Sequence, residues 1–270
     1  MIRRMGAMQW LRRGTRIIRF ALHLARGMLI EALFFPLQSE ERRKREVERW
    51  SRQLLDMLAV RLCVSGAPAD RAQPLMLVAN HVSWLDIFAI NAVVPARFVA
   101  KSEVRRWPLV GWLCARAGTI FIERARRHDT ARINHAIGRA LAAGDVFAVF
   151  PEGTTTDGSA VLKFHASLLE PALEAGAAVQ PVALCYECND GTLCTEAAYD
   201  GDKSLWDALM GMTSRREIVA RVWFLQPLAP QTRHRRELAL AAREAILRTL
   251  LPERCDSRTG TDVDLRAAAH

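Results

Sequence analysis

Six short apolar runs, at residues 75–79, 98–100, 119–123, 146–150, 179–184 and 219–225, alternate with segments long enough to be helices. Runs this short, bounded by turn-forming residues, read as strands, and strands separated by helix-length segments assemble into a parallel sheet. Residues 129–143 give the clearest intervening helix, closed by Gly144. The fold class that follows is α/β, a mostly parallel sheet flanked by helices. A chain of 270 residues, half of them hydrophobic, can bury one substantial core. The expected α/β domain covers residues 63–252, and the polar, small-residue tail 253–270 is expected to be disordered.

The charge is concentrated before that domain. Residues 1–52 hold 13 Lys/Arg and 5 Asp/Glu, a net of +8 out of +9 for the whole chain. Within them Arg12, Arg16, Arg19, His23 and Arg26 recur at steps of four, three, four and three, one stripe of a helix. Ile17, Ile18, Ala21, Leu22, Leu24, Ala25, Met28 and Leu29 cover the other side. Pro36 ends this helix, and Ser39 is placed to cap a second one whose apolar stripe is Val47, Trp50, Leu54, Met57 and Leu58. The expectation is an N-terminal two-helix membrane-binding motif over residues 1–62, lying in the interface with its basic side toward anionic lipid. Arginines interrupt the apolar segment, so neither a spanning helix nor a cleaved signal peptide is expected. The aliphatic surface is too large for an arm that tracks nucleic-acid phosphates. The location expected is the cytoplasmic face of the cell membrane, monotopic or peripheral.

Six cysteines, Cys63, Cys114, Cys185, Cys188, Cys194 and Cys255, are spread too widely for a disulfide framework. Cys185 and Cys188 have a C-x-x-C spacing, but no second pair accompanies them. Ordinary reduced thiols and no metal site are therefore expected.

Polar signals stand just past the strand ends, where sites form in parallel sheets. L-M-L-V-A runs into Asn80-His81, T-I-F-I-E into Arg124, and V-F-A-V-F into Pro151-Glu152-Gly153-Thr154. His81 and Asp86 lie five positions apart in N-H-V-S-W-L-D. A histidine satisfying a local hydrogen bond and an aspartate opening a helix would give the same pair. Gly153 and Gly158 have P-loop spacing, but Ser159-Ala160 follows where Lys and Ser/Thr should stand, so nucleotide binding is rejected. No G-x-S-x-G elbow occurs, and no motif marks a cysteine nucleophile. A His/Asp pair without a protein nucleophile suits deprotonation of a hydroxyl brought by the substrate.

N-H-x-S-x-x-D, G-T-I-F-I-E-R, F-P-E-G-T and V-Q-P-V-A-L, in that order over residues 70–230, resemble the four blocks of the glycerolipid acyltransferase family, and within it the bacterial 1-acyl-sn-glycerol-3-phosphate acyltransferases. The resemblance implies that His81 is the general base for a lysophospholipid hydroxyl and that Asp86 orients it. Arg124 is the implied phosphate contact, with Lys101 a weaker one, and Glu152, Gly153 and Thr154 shape the acceptor site. The product would be phosphatidic acid. Acyl-CoA or acyl carrier protein is the implied co-substrate, and no cofactor is called for. The implied partners are the lysophospholipid, the thioester donor and an anionic membrane surface. One position departs from the pattern: many members carry arginine after E-G-T, where this chain has Thr155. Related members acylate lyso-ornithine lipid, whose head group lacks a phosphate, and that acceptor is the alternative. A catalytically silent lipid-binding protein and a thioesterase are the readings from other classes.

Overall fold

Two long helices lead the chain into a sheet. In the computed structural model, which describes residues 7–34, 37–70, 73–106, 110–116, 118–122, 127–201, 203–229, 234–250 and 263–264, these are α1 (Ala7–Leu33) and α2 (Glu40–Met57). Ser39 stands at the N-cap of α2, but its side chain makes no capping hydrogen bond; Glu40 and Glu41 supply the negative charge that suits a first helical turn. Pro36 lies outside the described residues.

The sheet begins with β1 (Val60–Ser65), a strand absent from the six expected. It follows directly on α2 because Ala59 adopts φ 57, a left-handed conformation that turns the chain without a glycine. The expected domain boundary after residue 62 thus falls inside β1. The six expected strands all form, as β2 (Leu75–Ala79), β3 (Arg97–Lys101), β4 (Ile120–Ile122), β5 (Val146–Val149), β6 (Ala178–Cys188) and β7 (Ile218–Phe224). Strands β4, β3, β5, β2 and β6 lie side by side in that order and run parallel. β7 pairs antiparallel with β6, and β1 pairs parallel with β7. From the tail, Val263–Asp264 forms β8, antiparallel to β1; residues 251–262 and 265–270 lie outside the described residues.

Helices α3 (Asp86–Asn91), α4 (Ser102–Arg105), α5 (Val110–Arg116), α6 (Arg127–Ala142), α7 (Glu170–Glu174), α8 (Leu205–Ser214) and α9 (Arg235–Leu250) complete the order. They cover both faces of the sheet, and β2 shows why its sequence is apolar throughout. Leu75, Leu77 and Ala79 face a core built with Leu54 and Leu55 of α2, Ile90 of α3 and Met212 of α8. Met76 and Val78 face a second core with Ile137 and Leu141 of α6 and Ile246 of α9. Side chains alternate along a strand, so a strand covered on both sides must be apolar at every position. Each large side chain so buried contributes about 1.5–3 kcal/mol.

Part of the basic stripe of α1 packs inward, at Arg16 and His23, while Arg19 and Arg26 stay exposed. Arg13 Nη2 donates to Met210 O at 2.7 Å, and Arg16 donates to Arg215 O and Arg216 O at 2.6 and 2.7 Å. These carbonyls lie in and just beyond the last turn of α8, where backbone acceptors are unsatisfied and the helix dipole favours a cation. His23 is buried against α2, stacked on Trp50 with Nε2–H donating to Trp50 O at 3.1 Å, and burial lowers its pKa. Gly27 makes room for the same ring, since a Cβ there would stand 2.6 Å from Trp50 Nε1. Outside remain Leu11, Ile18, Leu22, Leu29 and Leu33, each more than half exposed, together with Arg19 and Arg26. No described helix is long and apolar enough to cross a membrane.

Candidate active site

Because β2, β3, β4, β5 and β6 are parallel, their carboxyl ends share one edge of the sheet, and the polar motifs gather there. Asn80, the first residue past β2, is buried and acts as a splint to β6. Its Nδ2 donates to Leu184 O at 2.9 Å, and its Oδ1 accepts from Leu184 N at 2.8 Å. The chain then turns so that Asp86, at the start of α3, points back at the residues before it. Asp86 Oδ2 accepts from His81 Nδ1 at 2.7 Å, from Val82 N at 2.8 Å and from Ser83 N at 3.0 Å. Oδ1 accepts from the Tyr186 hydroxyl at 2.7 Å. Asp86 both opens the helix and holds the imidazole.

A carboxylate only accepts, so the proton shared with His81 belongs on Nδ1, which leaves Nε2 as a lone-pair nitrogen. The His81 side chain is 20% exposed while that of Asp86 is 0% exposed, so the imidazole presents one edge outward and one inward. Its ring stacks on Phe150 at 4.1 Å between centroids, and Phe150 stacks on Phe98. Ser83, the nearest hydroxyl in the motif, is buried and its Oγ accepts from Leu85 N. Among the described residues no side-chain hydroxyl or thiol is hydrogen-bonded to the His81 ring.

The loop after β5 holds the histidine's main chain. Glu152 is buried; Oε1 accepts from His81 N at 2.8 Å and Oε2 from Leu162 N at 2.7 Å. Burial raises its carboxyl pKa, against the pull of those two N–H groups. Thr156 N donates to His81 O at 2.9 Å, so both backbone groups of His81 are satisfied by this one loop. Gly153 sits at φ 71 in the tight turn between them.

The chain matches the model of the acyltransferase family over residues 61–185. It is 41% identical over 204 residues to a lyso-ornithine lipid O-acyltransferase of Pseudomonas aeruginosa, covering 76% of this chain and 78% of that protein. This chain belongs to the acyltransferase family. It is also 38% identical over 185 residues to a 1-acyl-sn-glycerol-3-phosphate acyltransferase of Neisseria meningitidis, covering 68% and 72%. The fold is similar to the crystal structure of the 1-acyl-sn-glycerophosphate acyltransferase PlsC of Thermotoga maritima, at TM-score 0.64 and 24% identity, covering 90% of this chain and 98% of that one. The protein is an acyl-transferring enzyme of lipid biosynthesis.

In this acyltransferase the structure brings His81, Asp86, Glu152 and Gly153 together. Glu152 binds backbone N–H groups on both oxygens, and Thr154 is exposed at the loop tip. Lys101 is the last residue of β3, with β5 between it and β2. Arg124 lies outside the described residues. Thr155, the departure from the family pattern, donates its hydroxyl to the Tyr199 carbonyl, and Tyr199 N donates to Val82 O at 2.9 Å. Sequence reading missed Tyr186 altogether. It lies mid-strand in β6, 100 positions from Asp86, and one of only two tyrosines in the chain was the only signal available.

Proposed function

We propose that this acyltransferase moves a fatty acyl group from an acyl thioester, acyl-CoA or acyl carrier protein, to the free hydroxyl of a lysolipid. The observation that carries this reading is the buried Asp86 bound to His81 Nδ1, with the imidazole itself partly exposed and Nε2 free of any hydrogen bond among the described residues. The acceptor hydroxyl gives its proton to Nε2 as its oxygen attacks the thioester carbonyl. Asp86 stabilises the imidazolium that forms. Collapse of the tetrahedral intermediate expels the thiolate, which takes the proton back from Nε2, so the histidine ends each turnover as it began. Glu152 and Thr156 act by fixing the main chain of His81. Such a base is worth about 10²–10⁴-fold in rate.

The first acceptor reading is the sn-2 hydroxyl of 1-acyl-sn-glycerol 3-phosphate, supported by the F-I-E-R block and the Neisseria relative. Arg124 is then the phosphate contact and Lys101 a further cation. A second reading, lyso-ornithine lipid, is favoured by Thr155, whose hydroxyl is committed to Tyr199 and supplies no positive charge. The Pseudomonas relative supports it. The exposed leucines and Ile18 of α1 support attachment to a membrane interface, with these side chains entering the lipid, Arg19 and Arg26 exposed beside them, and Arg13 and Arg16 held against the end of α8.

Thiol release from acyl-CoA, followed with the two lysolipids in parallel, tests both layers. Turnover requires an acceptor; thiol release at equal rate without one would make the protein a thioesterase. Thr155→Arg is expected to raise kcat/KM for the phosphate acceptor relative to lyso-ornithine lipid by about tenfold, the scale of one charge-assisted contact. Leu22→Glu with Leu29→Glu is expected to abolish flotation with liposomes, and unchanged flotation would refute the membrane reading.

A further inference from the structure

Strand β6 ends in a tight reversal. Cys188 N donates to Thr192 O at 2.8 Å and Cys194 N to Tyr186 O at 2.8 Å, with Glu187 and Leu193 bridged antiparallel between them. In this ladder Cys188 stands opposite Thr192 and Cys194 opposite Tyr186, and residues two apart along a strand share a face. Cys188 and Cys194 therefore project to the same side, and both are buried. Glu196 joins them: the two Sγ atoms and a carboxylate oxygen of Glu196 all lie within 4.8 Å of one another. Glu196 Oε2 is 3.7 Å from Cys194 Sγ, while Oε1 accepts from Arg215 Nη2.

We propose that Cys188, Cys194 and Glu196 form a site for a thiophilic divalent metal ion of the zinc class. Three features of the geometry carry this. Two thiolates bound tetrahedrally at about 2.3 Å lie about 3.8 Å apart, a spacing compatible with sulfurs that lie within 4.8 Å of each other. The charges close: two thiolates and a carboxylate bring three negative charges, and a divalent ion with the Arg215 guanidinium brings three positive ones. Arg215 also orients the carboxylate from behind, as outer partners of metal-bound carboxylates do. Three protein ligands leave the fourth position to water. The C-x-x-C pair itself does not converge, because Cys185 lies three residues before Cys188 and a strand sends those side chains to opposite faces. The pair that meets is Cys188 with Cys194, across the turn.

The site also has a place in the architecture. Cys194 clasps the backbone of Tyr186, and the Tyr186 hydroxyl holds Asp86. An ion bound here would tie down the strand end that positions the His81–Asp86 pair.

The test uses the full-length chain, purified reduced, stripped with a chelator and titrated with Co²⁺. The expected result is one ion per chain with a thiolate-to-cobalt charge-transfer band, bleached by Zn²⁺. Zn²⁺ should also shield Cys188 and Cys194 from iodoacetamide and raise Tm by roughly 5 °C at saturating metal. Cys188→Ser and Cys194→Ser should lose the band, and Glu196→Gln should keep it with affinity reduced about tenfold or more. The shielding measurement and Glu196→Gln decide the matter even where a cysteine variant fails to fold. A folded wild-type chain without the band overturns the proposal. So does a band that survives in both cysteine variants, or a Cys188–Cys194 disulfide that forms in air while metal never binds.

Discussion

Replacing Tyr186 by Phe removes one hydroxyl and leaves the ring, which is fully buried in the core against α3 and α8. The packing is kept, so the effect isolates the hydrogen bond to Asp86 Oδ1. Bonds to charged acceptors contribute about 1.5–3 kcal/mol, because the partner left behind keeps its desolvation cost. Oδ1 has no other donor among the described residues, since the remaining three bonds go to Oδ2. The expected loss is therefore about 2 kcal/mol in stability, a fall in Tm of roughly 4–8 °C for a domain of this size. Activity should fall as well, because the Asp86 carboxylate that holds His81 Nδ1 loses one of its anchors. The tyrosine itself adds no alkaline limb to the pH–rate profile, because burial and the neighbouring Asp86 hold its pKa well above the ordinary value. Thermal unfolding with steady-state kinetics reads both effects. Unchanged Tm and unchanged kcat/KM would refute the claim that Tyr186 belongs to the His81–Asp86 network.

Two further substitutions test the frame around the site. Burial raises the Glu152 pKa, so the folded protein keeps a proton that the unfolded chain has released, and stability falls as pH rises between the two values. Glu152→Gln should flatten urea-derived stability just above the ordinary carboxylate range, and a slope equal to wild type would contradict the assignment. Ala59→Gly should stabilise the protein by about 0.5–1 kcal/mol, since the left-handed backbone costs alanine about 1–2 kcal/mol and glycine returns part of that through its freedom when unfolded. A lower urea midpoint at constant m would refute it.

The sheet was legible in the sequence wherever an apolar run stood alone between turn signals, as at 75–79 and 146–150. It was not legible at β1, where L-A-V-R-L-C-V continues the apolar content of α2 with neither Gly nor Pro between, and Ala59 makes the turn by itself. The His81–Asp86 pair was legible because the whole motif is local. Tyr186 and the Cys188–Cys194 meeting were not, because each depends on strand pairing that spacing does not encode. Which residues of α1 turn inward was not legible for a related reason. Periodicity separates a basic stripe from an apolar one, but the open carbonyls at the end of α8 draw Arg13 and Arg16 inward and leave Arg19 and Arg26 exposed.

The most direct test of the account is acceptor-dependent acyl transfer by His81→Ala, compared with wild type at equal folding and equal liposome binding. If His81 Nε2 takes the acceptor's proton, transfer falls by about 100-fold or more while Tm and flotation stay near wild type. Transfer within threefold of wild type, from a folded and membrane-bound variant, would contradict the assignment of the base and with it the mechanism.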